Sequence, residues 1–209
     1  MMPGSFRKML ILALSIATCS AFIQEISLYT GTDCTGGAIT FQTKEAQLTN
    51  WEFFLPSINS VKVHGWWVLY SGANFNTYLN SYSYRPTFVC INSTHPKTSR
   101  SLRHLGPSQT DTLSLSVYES GSWVGRELII TAPAATNFGF VATYGVASDY
   151  SSWTLYTNAD FTGASVCVAG NGGLVSRTFT FRSATSGCNK DYKLRGTKTI
   201  TDVSKFYYF

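Results

Sequence analysis

Charged side chains make up only 13% of this 209-residue chain, and it holds three histidines and five cysteines. His64, His95 and His104 stand in neither H-x-H nor H-E-x-x-H spacing, so no metal centre is written in them. No two cysteines form a C-x-x-C pair, which argues against a zinc knuckle or a dithiol redox site. G-x-S-x-G is missing as well, and with it the usual mark of a serine nucleophile. The run "GNGG" at residues 170–173 has no helical pattern behind it, so it reads as a β-turn and not as a phosphate cradle. The sequence thus offers no catalytic residue, no metal ligand set and no cofactor motif.

Long apolar runs are also lacking, with one exception. "MMPGSFRKMLILALSIATCSA" has Arg7 and Lys8 at its head, an apolar stretch from Met9 to Ala17, and the small residues Cys19 and Ala21 at its end. That is the layout of a secretory leader, with cleavage expected before Phe22. Removing its two cations takes the formal net charge from +5 to +3 (5 − 2), since residues 1–21 contain no acid. Lys190, Lys193, Arg195, Lys198 and Lys205 crowd the C-terminus, but Asp191 and Asp202 interleave with them, which reads as a solvated face. Nucleic acid is not an expected partner, and membrane contact is not indicated. The four cysteines left after cleavage, Cys34, Cys90, Cys167 and Cys188, suit two disulfides in an oxidising compartment, with three pairings open. "NST" at Asn92 is an N-glycosylation sequon, and nearby Pro96 suggests a surface loop.

What is present is aromatic and glycine residues in a repeated phrase. "LYTGTDCTG" from Leu28, "LYSGANFNT" from Leu69, "VYESGSWVG" from Val117 and "LYTNADFTG" from Leu155 share an aliphatic residue, Tyr, a small polar residue four later, and Cys or an aromatic five later. Seven after each Tyr comes Gly, except once: the pairs are Tyr29 with Gly36, Tyr70 with Thr77, Tyr118 with Gly125, and Tyr156 with Gly163. The tyrosines are 41, 48 and 38 residues apart, the period of one supersecondary unit (70 − 29, 118 − 70, 156 − 118). Around each phrase lie short β-prone runs such as "AITF", "LSVY" and "SVCV", and no stretch of the mature chain has a helical period. The reading is all-β, each phrase a hairpin folded back so that a ring lies over the chain where it passes Gly. A hairpin alone cannot bury a face, so pairs of repeats must share a two-sheet core.

These residues resemble the Greek key motif of the βγ-crystallin superfamily. "NSVKVHGWWVLY" (residues 59–70) is similar to that family's Ser, aliphatic, basic, Val run with a Trp ahead of the next Tyr, here Ser60, Val61, Lys62, Val63 and Trp67; "SRSLRHL" adds Ser101, Leu102 and Arg103. The resemblance implies two Greek key β-sandwich domains of two motifs each, at 22–105 and 113–209, with a linker at 106–112. Three departures stand out. Thr77 occupies a glycine position, which predicts a strained or reshaped hairpin with Gly72 as relief. "ATYGVASDYSSW" fits the third motif loosely, and Asp202 falls where the fourth motif's Ser is expected. One bridge per two-motif domain implies Cys34 with Cys90 and Cys167 with Cys188. Many members bind calcium through adjacent Asn/Asp residues ahead of the motif Ser, but no two Asn or Asp are adjacent anywhere here, so calcium binding is not expected.

The function this implies is a secreted, extracellular, non-catalytic structural or barrier protein. Alternatives are a module that binds an extracellular glycan or protein, including a membrane-active one, and a secreted protease inhibitor. Among the five tryptophans, Trp67 and Trp153 precede a motif Tyr by three and read as core. Trp66, facing the opposite side of its strand, is the candidate ligand contact.

Overall fold

The computed structural model describes residues 22–148, 151–169 and 179–188. Every regular strand pairing among them is antiparallel. Strands β1 (Glu25–Tyr29), β2 (Ala38–Phe41), β3 (Ser60–Tyr70), β4 (Tyr78–Asn92) and β5 (Ser101–His104) form one sheet in the order β2-β1-β3-β4, with β5 also on β3. The second half contains β6 (Leu115–Ser120), β7 (Val124–Ile130), β8 (Ala134–Ala135), β9 (Tyr144–Ala147), β10 (Ser152–Tyr156), β11 (Ser165–Ala169) and β12 (Ser183–Ser186). They make two sheets, β7-β6-β9 and β11-β10-β12-β8. Residues 1–21, expected to be a leader, the "GNGG" run, Asp202 and the C-terminal lysines fall outside the described residues.

The long strand β3 serves both motifs of the first half because it bends. Residues 60–64 pair with β1 and residues 67–70 pair with β5, while β4 follows β3 on either side of the bend. A register shift between Val63 and Gly65 marks the bend, and Gly65 has φ +97°. A Cβ there would lie 2.6 Å from Gln24 Oε1, so only glycine lets the N-terminal segment pass this close.

Burial follows from this geometry. Ile26, Leu28, Val61, Val63, Trp67, Leu69 and Leu102 are sealed in a first core. Leu115, Val117, Trp153, Leu155, Phe181 and Ala184 anchor a second. A third cluster joins the halves: Val68, Tyr70 and Leu105 pack on Tyr118, Tyr144 and Val146, with Trp66, Phe75, Trp123 and Val124 at its margin. Cys34 is bonded to Cys90 and Cys167 to Cys188, so each bridge stays within one half of the chain.

Candidate functional site

The four phrases build the same object. Five residues after each Tyr the chain is left-handed, at Cys34 (φ +57°), Phe75 (+58°), Trp123 (+57°) and Phe161 (+62°). It is left-handed again two residues later, at Gly36 (+80°), Thr77 (+60°), Gly125 (+82°) and Gly163 (+84°). Thr77 is thus a β-branched residue in a region that disfavours it. The hairpin around it is reshaped: Ser71 N–H closes on Thr77 O, whereas Thr30 and Thr157 close on the residue after the motif Gly. The extra residue appears as a register shift between Leu69 and Tyr70. Gly72 gives no relief through positive φ. It is needed because a Cβ would meet Asn76 O at 2.7 Å, as one at Gly31 would meet Thr35 O at 2.9 Å.

A buried serine fastens three of these hairpins. Ser60 Oγ accepts from Cys34 N–H (2.9 Å) and donates to Gly31 O (2.6 Å). Ser101 does the same between Phe75 N–H (3.0 Å) and Gly72 O (2.7 Å). In the fourth repeat the residue is Ser183, between Phe161 N–H (3.1 Å) and Asn158 O (2.7 Å). Each sits opposite its motif Tyr in the ladder, so Ser183, and not position 202, is the fourth motif's serine. In the third repeat Tyr144 takes that register position, opposite Tyr118. Reading back from Ser183 puts Phe179 where the second residue of a calcium-binding pair would stand, and a phenyl ring is no oxygen ligand.

The most concentrated chemistry lies where the halves meet. Arg103 is almost wholly buried, 1% exposed. Its Nε donates to Tyr70 Oη (3.0 Å), its Nη1 donates to Gly125 O (3.1 Å), and its guanidinium stands over the rings of Phe75 (4.7 Å), Tyr118 (4.9 Å) and Tyr70 (5.4 Å). Glu127 lies 3.9 Å from Arg103, is paired with Lys44, and accepts from Tyr118 Oη–H (2.7 Å). Tyr70 Oη–H in turn donates to Trp123 O (2.7 Å). Burial pushes both phenols above their ordinary range, aided at Tyr118 by the Glu127 carboxylate, so both remain donors. Burial also lowers Lys44, opposed by Glu127. Such groups hold two surfaces in register, because each charge is desolvated only while its partner is in place.

A second clasp covers the connection. Gln24 Nε2 donates to Leu105 O and Pro107 O, both at 2.7 Å, and its Oε1 accepts from Trp66 N–H (2.7 Å). Ile23 bridges Gln109, and Gln24 N–H bonds Ser108 O. His104, packed edge-on to Trp67, donates from Nδ1 to Gly106 O (3.0 Å); burial and then Lys44 lower its pKa to about 4.

Trp67 and Trp153 are core, as the pattern implied. Trp66 does point the other way, but it meets Trp123 across the halves, ring centroids 5.9 Å apart, and is part of the junction. Asn92 is exposed at the end of β4, its amide exchanging hydrogen bonds with Asp33 at 2.8 and 3.0 Å. The three histidines lie apart in different surroundings, and the described residues contain no group of three or more His, Cys, Asp or Glu able to hold a metal. Sequence reasoning missed Ser183, Gln24, Lys44 and Glu127.

No protein-family model matches the chain, and no curated protein matches it. Solved structures do. Geodin, a βγ-crystallin from Geodia cydonium, aligns over 79% of this chain and 100% of its own with 18% identity and a TM-score of 0.57. The fifth crystallin domain of the non-lens protein Absent in melanoma 1 aligns over 39% of this chain and 87% of its own, with 24% identity and a TM-score of 0.29. With Geodin matched along its whole length and four folded hairpins paired as Greek keys, the protein has a βγ-crystallin fold.

Proposed function

We propose that this chain is a secreted, non-catalytic structural or barrier component, with residues 1–21 removed and Greek key domains at 22–105 and 113–209 joined through 106–112. The observation that carries the reading is where its polar chemistry is placed. Arg103, Glu127, Lys44, Tyr70 and Tyr118 are bonded to one another between the halves, and each half carries its own disulfide. Groups that would be reactive in a cleft are here joined as a fastener, and the bridges suit an oxidising exterior. Asn92, exposed and in a sequon, is the proposed glycan attachment point.

The test is where the protein accumulates. An antibody to the mature chain, applied to sections and to sequential salt and denaturant extracts of the producing tissue, is expected to find it abundant in an extracellular matrix, coat or secretion. Confinement to the cell interior, or trace amounts bound to a single receptor-bearing cell type, overturns the structural reading.

A further inference from the structure

Trp51 alone among the five tryptophans is exposed, at 38%. It sits on a rigid turn: Trp51 N–H bonds Leu48 O and Phe54 N–H bonds Trp51 O, while the indole stands edge-on to buried Phe41 (5.9 Å, 86°). Phe53, two residues on, is wholly exposed. Between this turn and the end of β2 runs an open groove of about 610 Å³, lined by Thr40, Gln42, Thr43, Glu45, Asn50 and Trp51. It is an open surface trough and not an enclosed cavity.

We propose that this groove binds a neutral, β-linked oligosaccharide of all-equatorial pyranoses. Such rings present axial C–H groups on both faces, an apolar surface matched to a fixed, half-exposed indole. Their vicinal hydroxyls both donate and accept, and the Asn50 amide can do likewise; the Gln42 amide, bonded through Nε2 to Glu25 (2.8 Å), keeps its carbonyl as an acceptor, and the Thr40 and Thr43 hydroxyls, bonded to Ser27 (2.8 Å) and Glu45, keep spare lone pairs. Glu45 brings an acceptor, with one oxygen taken by Thr43 Oγ1 (2.6 Å). The charge balance selects the class. Lys44 is drawn away to Glu127 and Arg100 is bonded to Glu52, so the groove offers a carboxylate without a free cation beside it, which disfavours sulfated or uronic sugars. The site adds a ligand to the structural role and does not depend on it.

Saturation-transfer NMR and fluorescence titration of the full mature protein with cellotriose and with triacetylchitotriose test this, with a heparin hexasaccharide as the anionic control. Saturable binding of at least one neutral trisaccharide is expected, weakened about tenfold or more in Trp51→Ala, the equivalent of about 1.4 kcal/mol. A Gln42→Ala/Asn50→Ala double variant, altered only at exposed side chains, is expected to weaken it comparably while keeping the parent's unfolding midpoint, and Trp66→Phe to leave it unchanged. Binding to heparin alone, equal binding by Trp51→Ala and the parent, or no saturation by either neutral sugar up to about 10 mM overturns the proposal. None of these outcomes bears on tissue location, so the structural reading stands or falls separately.

Discussion

Replacing Arg103 by Met keeps most of the stem that packs between Tyr70, Phe75 and Tyr118 but removes the charge and its donors. The variant loses the bonds to Tyr70 Oη and Gly125 O and leaves Glu127 buried with Lys44 as its remaining cation. Removing one partner of a buried pair costs about 3–5 kcal/mol, and because Lys44 still partly compensates, the low end, about 3 kcal/mol, is expected. For a chain of this size that lowers the melting temperature by roughly 6–12 °C. Urea unfolding followed by tryptophan fluorescence measures the loss. A double-mutant cycle with Glu127→Gln then isolates the pair and should show coupling of about 1 kcal/mol or more. Since Arg103 belongs to the first half and Glu127 and Gly125 to the second, the variant should also split unfolding into two transitions. A loss under about 1 kcal/mol, or additivity within about 0.5 kcal/mol, refutes the idea that this cluster locks the halves.

Other outcomes follow from single contacts. His104 is held neutral in the fold with a pKa of about 4, so between that value and the ordinary 6.5 the unfolded chain binds the extra proton; stability is complete above pH 6.5 and falls on acidification by about 3 kcal/mol, and His104→Asn should flatten the curve in pH-dependent urea titrations. Thr77→Gly removes a left-handed strain of about 1–2 kcal/mol at a backbone-entropy cost of about 0.5–1 kcal/mol, so calorimetry should show a small net gain. Ser183→Ala orphans Phe161 N–H and Asn158 O and should cost about 1–3 kcal/mol by urea denaturation, a loss that Ser183→Thr does not share in full if the hydroxyl is what matters. Gln24→Ala frees the carbonyls of Leu105 and Pro107, and limited proteolysis should then cut between residues 108 and 113 sooner than in the parent.

The hairpins were legible in the sequence because their requirements are local. A left-handed turn calls for Gly at a fixed place in the phrase, and Gly36, Gly125 and Gly163 stand there with positive φ. Ser60 and Ser101 could be found because an aliphatic and a basic residue follow each, Val61 and Lys62 in one and Leu102 and Arg103 in the other. Ser183 is followed by Ala184 and Thr185, so "SATS" lacks the aliphatic and basic residues that mark the other two, and the fourth serine was hidden. The junction was illegible for another reason. Lys44 and Glu127 look like ordinary surface charges, and Arg103, though it stands in a motif run, names no partner; only the bend at Gly65 and the packing of β3 against β6 bring the three together. Trp66 was read correctly as facing away from the first core, but one strand cannot show that Trp123 will cover it.

That this chain is exported and cross-linked for durability is tested most directly by the survival of intact protein. Material collected from the medium of expressing cells is incubated with trypsin, with and without prior reduction, while a chromogenic peptide reports that the protease stays active. The oxidised protein is predicted to persist as a full-length mature band while the peptide is hydrolysed at the normal rate, and the reduced protein to be degraded. Digestion of the oxidised protein as fast as the reduced one, or its absence from the medium, contradicts the structural role.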